Sequence, residues 1–181
     1  MRAAPLLLGL GALLLLAAAG GASSPAAPRP APAGGDDPPE GLAPSELAIW
    51  RGLEPSTRAW LRQVLTRARA AGLRPVLVSG RRSCAEQNRL YAQGRTSPGA
   101  VVTHAKGCRS WHVHGRAVDV AFAKGAPASS YAQLGAIAKE LGGRWGGDFA
   151  GFADLPHLEY HPGLTIEQAC PDPDNCKDLP P

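Results

Sequence analysis

Residues 110–119, Ser-Trp-His-Val-His-Gly-Arg-Ala-Val-Asp, constrain this chain more than any other stretch. Two imidazoles precede a single glycine, and an alternating strand pattern follows it. Gly115 lets the chain turn back. In Ala117-Val118-Asp119-Val120-Ala121-Phe122, residues 117, 119 and 121 share one face of the strand. The small alanines beside Asp119 leave room on that face. A fold that accommodates this stretch sets a histidine-bearing turn against a carboxylate-bearing strand.

A second cluster, Asp154-Leu155-Pro156-His157-Leu158-Glu159, leads into another short strand pattern that runs to His161. Three protein ligands and one open position make a hydrolytic zinc site. His112, Asp119 and His157 meet that stoichiometry, with His114 as good a candidate as His112 on spacing alone. Glu159 and His161 share His157's face at period two and are placed to orient it. Asp154, three residues before His157, is placed to act as a general base; the alternative is a surface turn aspartate. Arg82 ends the strand pattern of residues 75–80 and is a candidate cation for a developing oxyanion. Arg81 competes for that role.

The rest of the folded chain supplies helices. Leu47, Ile49, Trp50 and Leu53 recur at helical spacing from Ser45 onward. Pro55 restarts the pattern, and Trp60, Leu61, Val64, Leu65 and Ala68 form one apolar stripe that ends before Gly72. Residues 75–80 read as a short buried strand. Ser83 with Glu86 predicts a capping box for a helix ending at Gly94. Residues 95–109 read as a long loop. Ser129-Ser130 predict the cap of a helix through Leu134, Ile137 and Leu141. Trp145-Gly146-Gly147-Asp148 reads as a glycine-rich bend. Helices first and strands mostly later predict an α+β fold, a small antiparallel sheet with helices packed on it.

The N-terminal region has a different composition. Arg2 and an apolar run over residues 6–19, followed by small residues, have the form of a signal peptide over residues 1–22. The run falls short of the roughly 20 residues that span a bilayer, so no stable membrane anchor is expected after cleavage. Residues 23–43, rich in Ala, Pro and Gly, read as a disordered linker. Residues 44–181 then form one domain with a Pro-rich C-terminal tail. The chain is expected to be exported, to the periplasm or beyond. Its net charge of +4 is mild, and its arginines are scattered rather than clustered in runs, which argues against a nucleic-acid partner. Four cysteines in an exported chain predict disulfides. The spacing favours Cys170–Cys176 across a Pro-rich loop and Cys84–Cys108 tying two loops. No Cys-x-x-Cys spacing supports structural zinc.

These blocks together resemble the zinc D-alanyl-D-alanine carboxypeptidase and L-alanyl-D-glutamate endopeptidase family, which trims peptidoglycan stem peptides and includes phage endolysins. The resemblance rests on Ser110-x-His112-x-x-Gly115-x-Ala117-x-Asp119 with Asp154-x-x-His157, and on Ser79-Gly80-Arg81-Arg82-Ser83 with Glu86-Gln87. Residues 90–99 and 102–107 add to it, as does Trp145-Gly146-Gly147-Asp148-Phe149. It covers residues 76–159. It implies a Zn2+ cofactor held by His112, Asp119 and His157, with Asp154 as base, Arg82 stabilising the tetrahedral intermediate, and Ser110 beside the substrate. The implied activity is L-alanyl-D-glutamate endopeptidase, favoured by the Trp145 block, with D-alanyl-D-alanine carboxypeptidase and a non-catalytic zinc-containing wall-binding module as alternatives. Arg81 stands where relatives carry an aromatic residue, and the cysteine pair at 84 and 108 is foreign to the family. The sequence leaves the oligomeric state open.

Overall fold

The computed structural model describes residues 37–124 and 126–176. The signal-peptide expectation and most of the linker expectation therefore lie outside the described residues.

In chain order the elements are helices α1 (Pro44–Arg51) and α2 (Pro55–Ala70), strand β1 (Val76–Ser79), helix α3 (Cys84–Ala92) and strand β2 (Ala117–Ala121). Helix α4 (Ala128–Glu140), strands β3 (Arg144–Trp145) and β4 (His157–Glu159), and helix α5 (Ile166–Ala169) follow. The strands form one antiparallel sheet in the order β1-β2-β4-β3. The α+β architecture expected from the sequence is the one observed.

One face of the sheet is apolar. Leu77 pairs with Val120, and Val118 with Leu158. All four are buried with Trp60, Leu61, Val64 and Leu65 of α2 and Leu134 and Ala138 of α4. Each fully buried leucine or valine here contributes about 1.5–3 kcal/mol relative to exposure. Trp60 stacks on Tyr160 with ring centroids 5.2 Å apart. Gly143 crosses directly over the Trp60 ring, where a Cβ would overlap it.

The opposite face carries the polar residues. Asp119 of β2 lies directly across from His157 of β4, and Ala117 across from Glu159. β1 is half-exposed rather than buried as expected: Val76 and Val78 are 45 % and 53 % exposed on the polar side, while Leu77 reaches the core. Edge position is the reason, since β1 has a sheet neighbour on one side only. Glu46 of α1 covers that edge, accepting from the Leu77 amide at 3.0 Å. An edge amide satisfied by a side chain is closed to pairing with another strand.

Local details bear on three further expectations. Ser83 caps α3, accepting from the Glu86 amide at 3.0 Å, which is the serine half of the predicted capping box. Helix α4 begins earlier than expected, with Pro127 at the N-cap and Ser129 and Ser130 inside the first turn. Proline suits a helix start because its fixed φ needs no amide partner there. Within the stretch expected to lead into a Pro-rich tail, residues 166–169 form α5, which folds back onto the turn over residues 107–109.

The disulfides are Cys84–Cys176 and Cys108–Cys170, not the sequence-local pairs expected. The fold-back of α5 explains the difference. It carries Cys170 and Cys176 into a small apolar cluster with Cys84, Cys108 and Val113. The bonds are nested, closing spans of 92 and 62 residues. Loops this long give each cross-link a chain-entropy contribution on the order of 4 kcal/mol.

Candidate metal centre

Three donor atoms converge on the polar face of the sheet. His112 Nε2 lies 3.2 Å from His157 Nδ1 and 3.3 Å from Asp119 Oδ1, and His157 Nδ1 lies 3.2 Å from Asp119 Oδ1. Local structure sets each of them. Antiparallel register puts Asp119 opposite His157. His112 arrives on the turn over residues 111–115, which Gly115 closes at φ +64°. A Cβ at Gly115 would also come within 3.0 Å of the Gly52 carbonyl oxygen.

The imidazole tautomers are fixed from behind. His112 Nδ1 donates to the Gly80 carbonyl at 2.6 Å, which leaves Nε2 as a lone-pair donor. His157 Nε2 donates to Glu159 Oε2 at 3.1 Å, which turns Nδ1 toward Asp119 and His112. Glu159 is 3 % exposed, and its other oxygen accepts from His161 Nε2 at 3.1 Å and pairs with Arg144 at 2.8 Å. Glu159 and His161 thus stand behind His157 as period two predicts. His161 is held in turn by stacking on Trp111, with centroids 3.9 Å apart.

The electrostatics favour a cation at the triangle. Burial disfavours charge on Asp119, but hydrogen bonds from His112 and His157 outweigh it and hold the carboxyl well below its usual range. Burial likewise opposes charge on His157, and its bonds to Asp119 and Glu159 overcome it, raising the imidazole to about 9. Burial works against Glu159 as a carboxylate, yet His157 and His161 bring it down to about 2.

The donor set fits zinc. Two neutral imidazole nitrogens and a carboxylate oxygen are its usual ligands, and bonds of about 2.0–2.1 Å in a tetrahedron leave ligand atoms about 3.3 Å apart. The three observed separations match that edge. His112, Asp119 and His157 form the group able to hold a metal among the described residues. His114 does not join it: its Nε2 bonds the Cys108 carbonyl at 2.7 Å, and burial lowers its pKa.

The remaining expected site residues line the same cavity, of about 660 Å3. Arg82 Nη2 donates to Asp119 Oδ2 at 2.6 Å and to Ser79 Oγ at 2.9 Å. Arg81 is not among the lining residues. Asp154 lines the cavity with its pKa raised, first by burial. Ser110 is buried on the wall just before the His112 turn.

Some contributors received no role from the sequence, although Gln87 and Phe149 stand in the motif blocks. Gln87, 0 % exposed, accepts from Arg82 Nη1 at 3.3 Å and donates to the Ala105 carbonyl at 2.8 Å. It joins the arginine to the long loop. Its helical position in α3 is a signal of burial, but nothing in the sequence names its partners. Phe149, 5.6 Å from the His157 ring, and Phe152, packed on His104 at 4.6 Å, give the cavity aromatic walls.

The glycine-rich bend explains how Asp154 is held. Asp154 N–H donates to the Gly146 carbonyl at 2.9 Å, and Trp145 Nε1–H donates to the Leu155 carbonyl at 2.8 Å. A Cβ at Gly146 would overlap the Asp154 carbonyl oxygen and come within 2.8 Å of the His157 Cβ. Gly146→Ala should therefore destabilise the fold by about 1–3 kcal/mol, the usual cost of overpacking. Urea denaturation checks this: a lower midpoint at unchanged slope is the expected result.

Residues 103–160 match a family described as D-alanyl-D-alanine carboxypeptidase. The chain is 40 % identical over 105 residues to the peptidoglycan L-alanyl-D-glutamate endopeptidase CwlK of Bacillus subtilis (strain 168), covering 50 % of this chain and 63 % of that one. It is 42 % identical over 60 residues to the L-alanyl-D-glutamate peptidase of Listeria phage A118, covering 29 % of this chain and 21 % of the phage protein. The chain thus spans less than two thirds of the length of either relative. The crystal structure of the Serratia marcescens L-Ala D-Glu endopeptidase ChiX is also similar, with a TM-score of 0.49 and 25 % identity, covering 66 % of this chain and 89 % of that one. The family match runs from Thr103 to Tyr160, through all three converging donors and Asp154, and over that stretch the chain is similar to the family.

Proposed function

We propose that this protein is a zinc-dependent peptidase that hydrolyses peptidoglycan stem peptides at the L-alanyl-D-glutamate bond. The observation that carries the proposal is the donor triangle of His112, Asp119 and His157 in a cavity also lined by Asp154 and Arg82. The names of the Bacillus and phage relatives favour the endopeptidase reading.

When bound, zinc supplies a Lewis acid for the scissile carbonyl and lowers the pKa of water towards about 7. The protein's own residues do the rest. Asp154, ionised, takes a proton from the attacking water and returns it to the leaving amine. Its burial brings its pKa nearer the working pH, which suits a group that must both accept and donate. Arg82 holds Asp119 through Oδ2, and its guanidinium provides fixed positive charge for the developing oxyanion. Ser110 contacts substrate from the cavity wall. Phe149 and Phe152 line the same cavity and exclude water from it.

The same reading places the protein outside the cytoplasm. Arg2 and the apolar run over residues 6–19 support export, and two disulfides suit an oxidising compartment. Its partners are then stem peptides of the wall. No described helix is long and apolar enough to cross a membrane.

A digest of defined muropeptides tests the activity. Mass spectrometry should show a released peptide that begins at D-glutamate and keeps its terminal D-alanine. Chelation should abolish its formation, and added zinc should restore it. Release of terminal D-alanine alone would make the protein a carboxypeptidase, the activity in the matched family's description. Wall binding with no cleavage would leave a non-catalytic module, and chelator-resistant cleavage would overturn the metal mechanism.

A further inference from the structure

We infer that Arg109 is a specificity residue that recognises a carboxylate on the substrate; the inference rests on the peptidase reading above. Three arginines line the cavity: Arg82, Arg109 and Arg144. Two are committed to buried acids. Arg82 is bonded to Asp119, and Arg144 pairs with Glu159, whose side chain is 4 % exposed. Release of either would strand a buried charge.

Arg109 differs. It bonds Glu167 of α5 at 2.8 Å, and that glutamate side chain is 68 % exposed. An ion pair with so exposed a partner contributes little, and water readily replaces it. An incoming carboxylate can therefore take Glu167's place on the guanidinium without leaving a buried charge behind. The planar fork of arginine suits such an exchange, since it offers two parallel donors to one carboxylate.

The position of Arg109 is also fixed in advance. Its amide donates to the Lys106 carbonyl at 3.0 Å within the 3-10 turn Gly107–Arg109. Its neighbour Cys108 is bonded to Cys170, and α5 carries both Ile166, which lines the cavity, and Glu167. The Cys108–Cys170 bond thus ties the segment that bears Ile166 and Glu167 to the turn that bears Arg109, and Ile166 and Arg109 line the same cavity. Fixing the backbone of Arg109 in advance removes that part of the ordering cost on binding.

The substrate chemistry supplies the matching group. In a stem peptide, glutamate is linked onward through its γ-carboxyl, so its α-carboxyl is either free or amidated. The free acid can form a charge-assisted pair with Arg109, whereas the amide cannot.

The test compares kcat/KM on two peptides identical except for D-glutamate α-carboxylate against α-amide. The wild-type protein should prefer the acid by about tenfold, in line with one charge-assisted hydrogen bond. Arg109→Gln should bring the ratio close to one, and Arg109→Lys should retain part of it. Glu167→Gln, which removes the competing carboxylate, should keep or increase the preference. Equal wild-type rates on both peptides would overturn the assignment while leaving the peptidase reading intact. So would an Arg109→Gln variant that keeps the preference, or a Glu167→Gln variant that loses it, which would mean that the pair only braces the wall. Cleavage of neither peptide would remove the peptidase reading and this inference together.

Discussion

Asp154→Asn is expected to lower kcat by about 10²–10⁴-fold while leaving zinc content unchanged. Asp154 is not one of the converging donors, so the metal should stay. Asparagine keeps the shape of the side chain and cannot accept the proton. The pH profile gives a second check. A general base works when ionised, so the rate of the wild-type protein should fall as pH drops through the Asp154 pKa. Burial raises that pKa, which moves the acid limb above the ordinary carboxylate range. The residual activity of Asp154→Asn should lack this limb. Elemental analysis and kcat measured across pH decide the matter; a variant within a few-fold of the wild type would remove Asp154 from the mechanism.

Asp119→Ala should be the more damaging change, because Asp119 serves two groups at once. Its Oδ1 faces both ligand histidines, and its Oδ2 holds Arg82 at 2.6 Å. Removing it takes away a metal donor and leaves a guanidinium, with its side chain only 16 % exposed, without its carboxylate. Activity should fall to background and zinc should not be retained. The metal-free protein should also lose about 3 kcal/mol, since breaking a largely buried ion pair strands the remaining charge. His112→Ala separates the two roles: it should lose zinc and activity but cost the metal-free fold less. Denaturation of both variants in chelator tests this. Equal stability of the two apoproteins would show that the Asp119–Arg82 pair does not support the fold.

The chemistry-bearing residues were largely legible because they are fixed by local pattern. The period-two strand put Asp119 between small neighbours, and the same period placed Glu159 and His161 behind His157. The choice between His112 and His114 was not local. Both lie on one turn, and what separates them is where each ring is anchored. His112 Nδ1 meets the Gly80 carbonyl, 32 residues away in sequence, while His114 turns back to the Cys108 carbonyl. Arg82 was legible as a cation at a strand end, but its attachment to Asp119 depends on the irregular register at Ser79 that brings β1 against β2.

The disulfides show the same limit more sharply. Sequence proximity favoured Cys170 with Cys176, yet each bonds a cysteine far away in the chain. Loop-closure entropy alone prefers short loops. Packing of Cys170 and Cys176 against Cys84, Cys108 and Val113 reverses that preference, and no local pattern reports it. By itself the sequence determined α1 to α4, β1, β2 and β4 and the residue types able to hold a metal, since these follow from periodicity and side-chain chemistry within a few residues, but not the two-residue β3 or the short α5. Only the tertiary structure decided which atoms converge, which arginine retains an exchangeable partner, and which cysteines pair, because those depend on contacts between segments 30 to 90 residues apart.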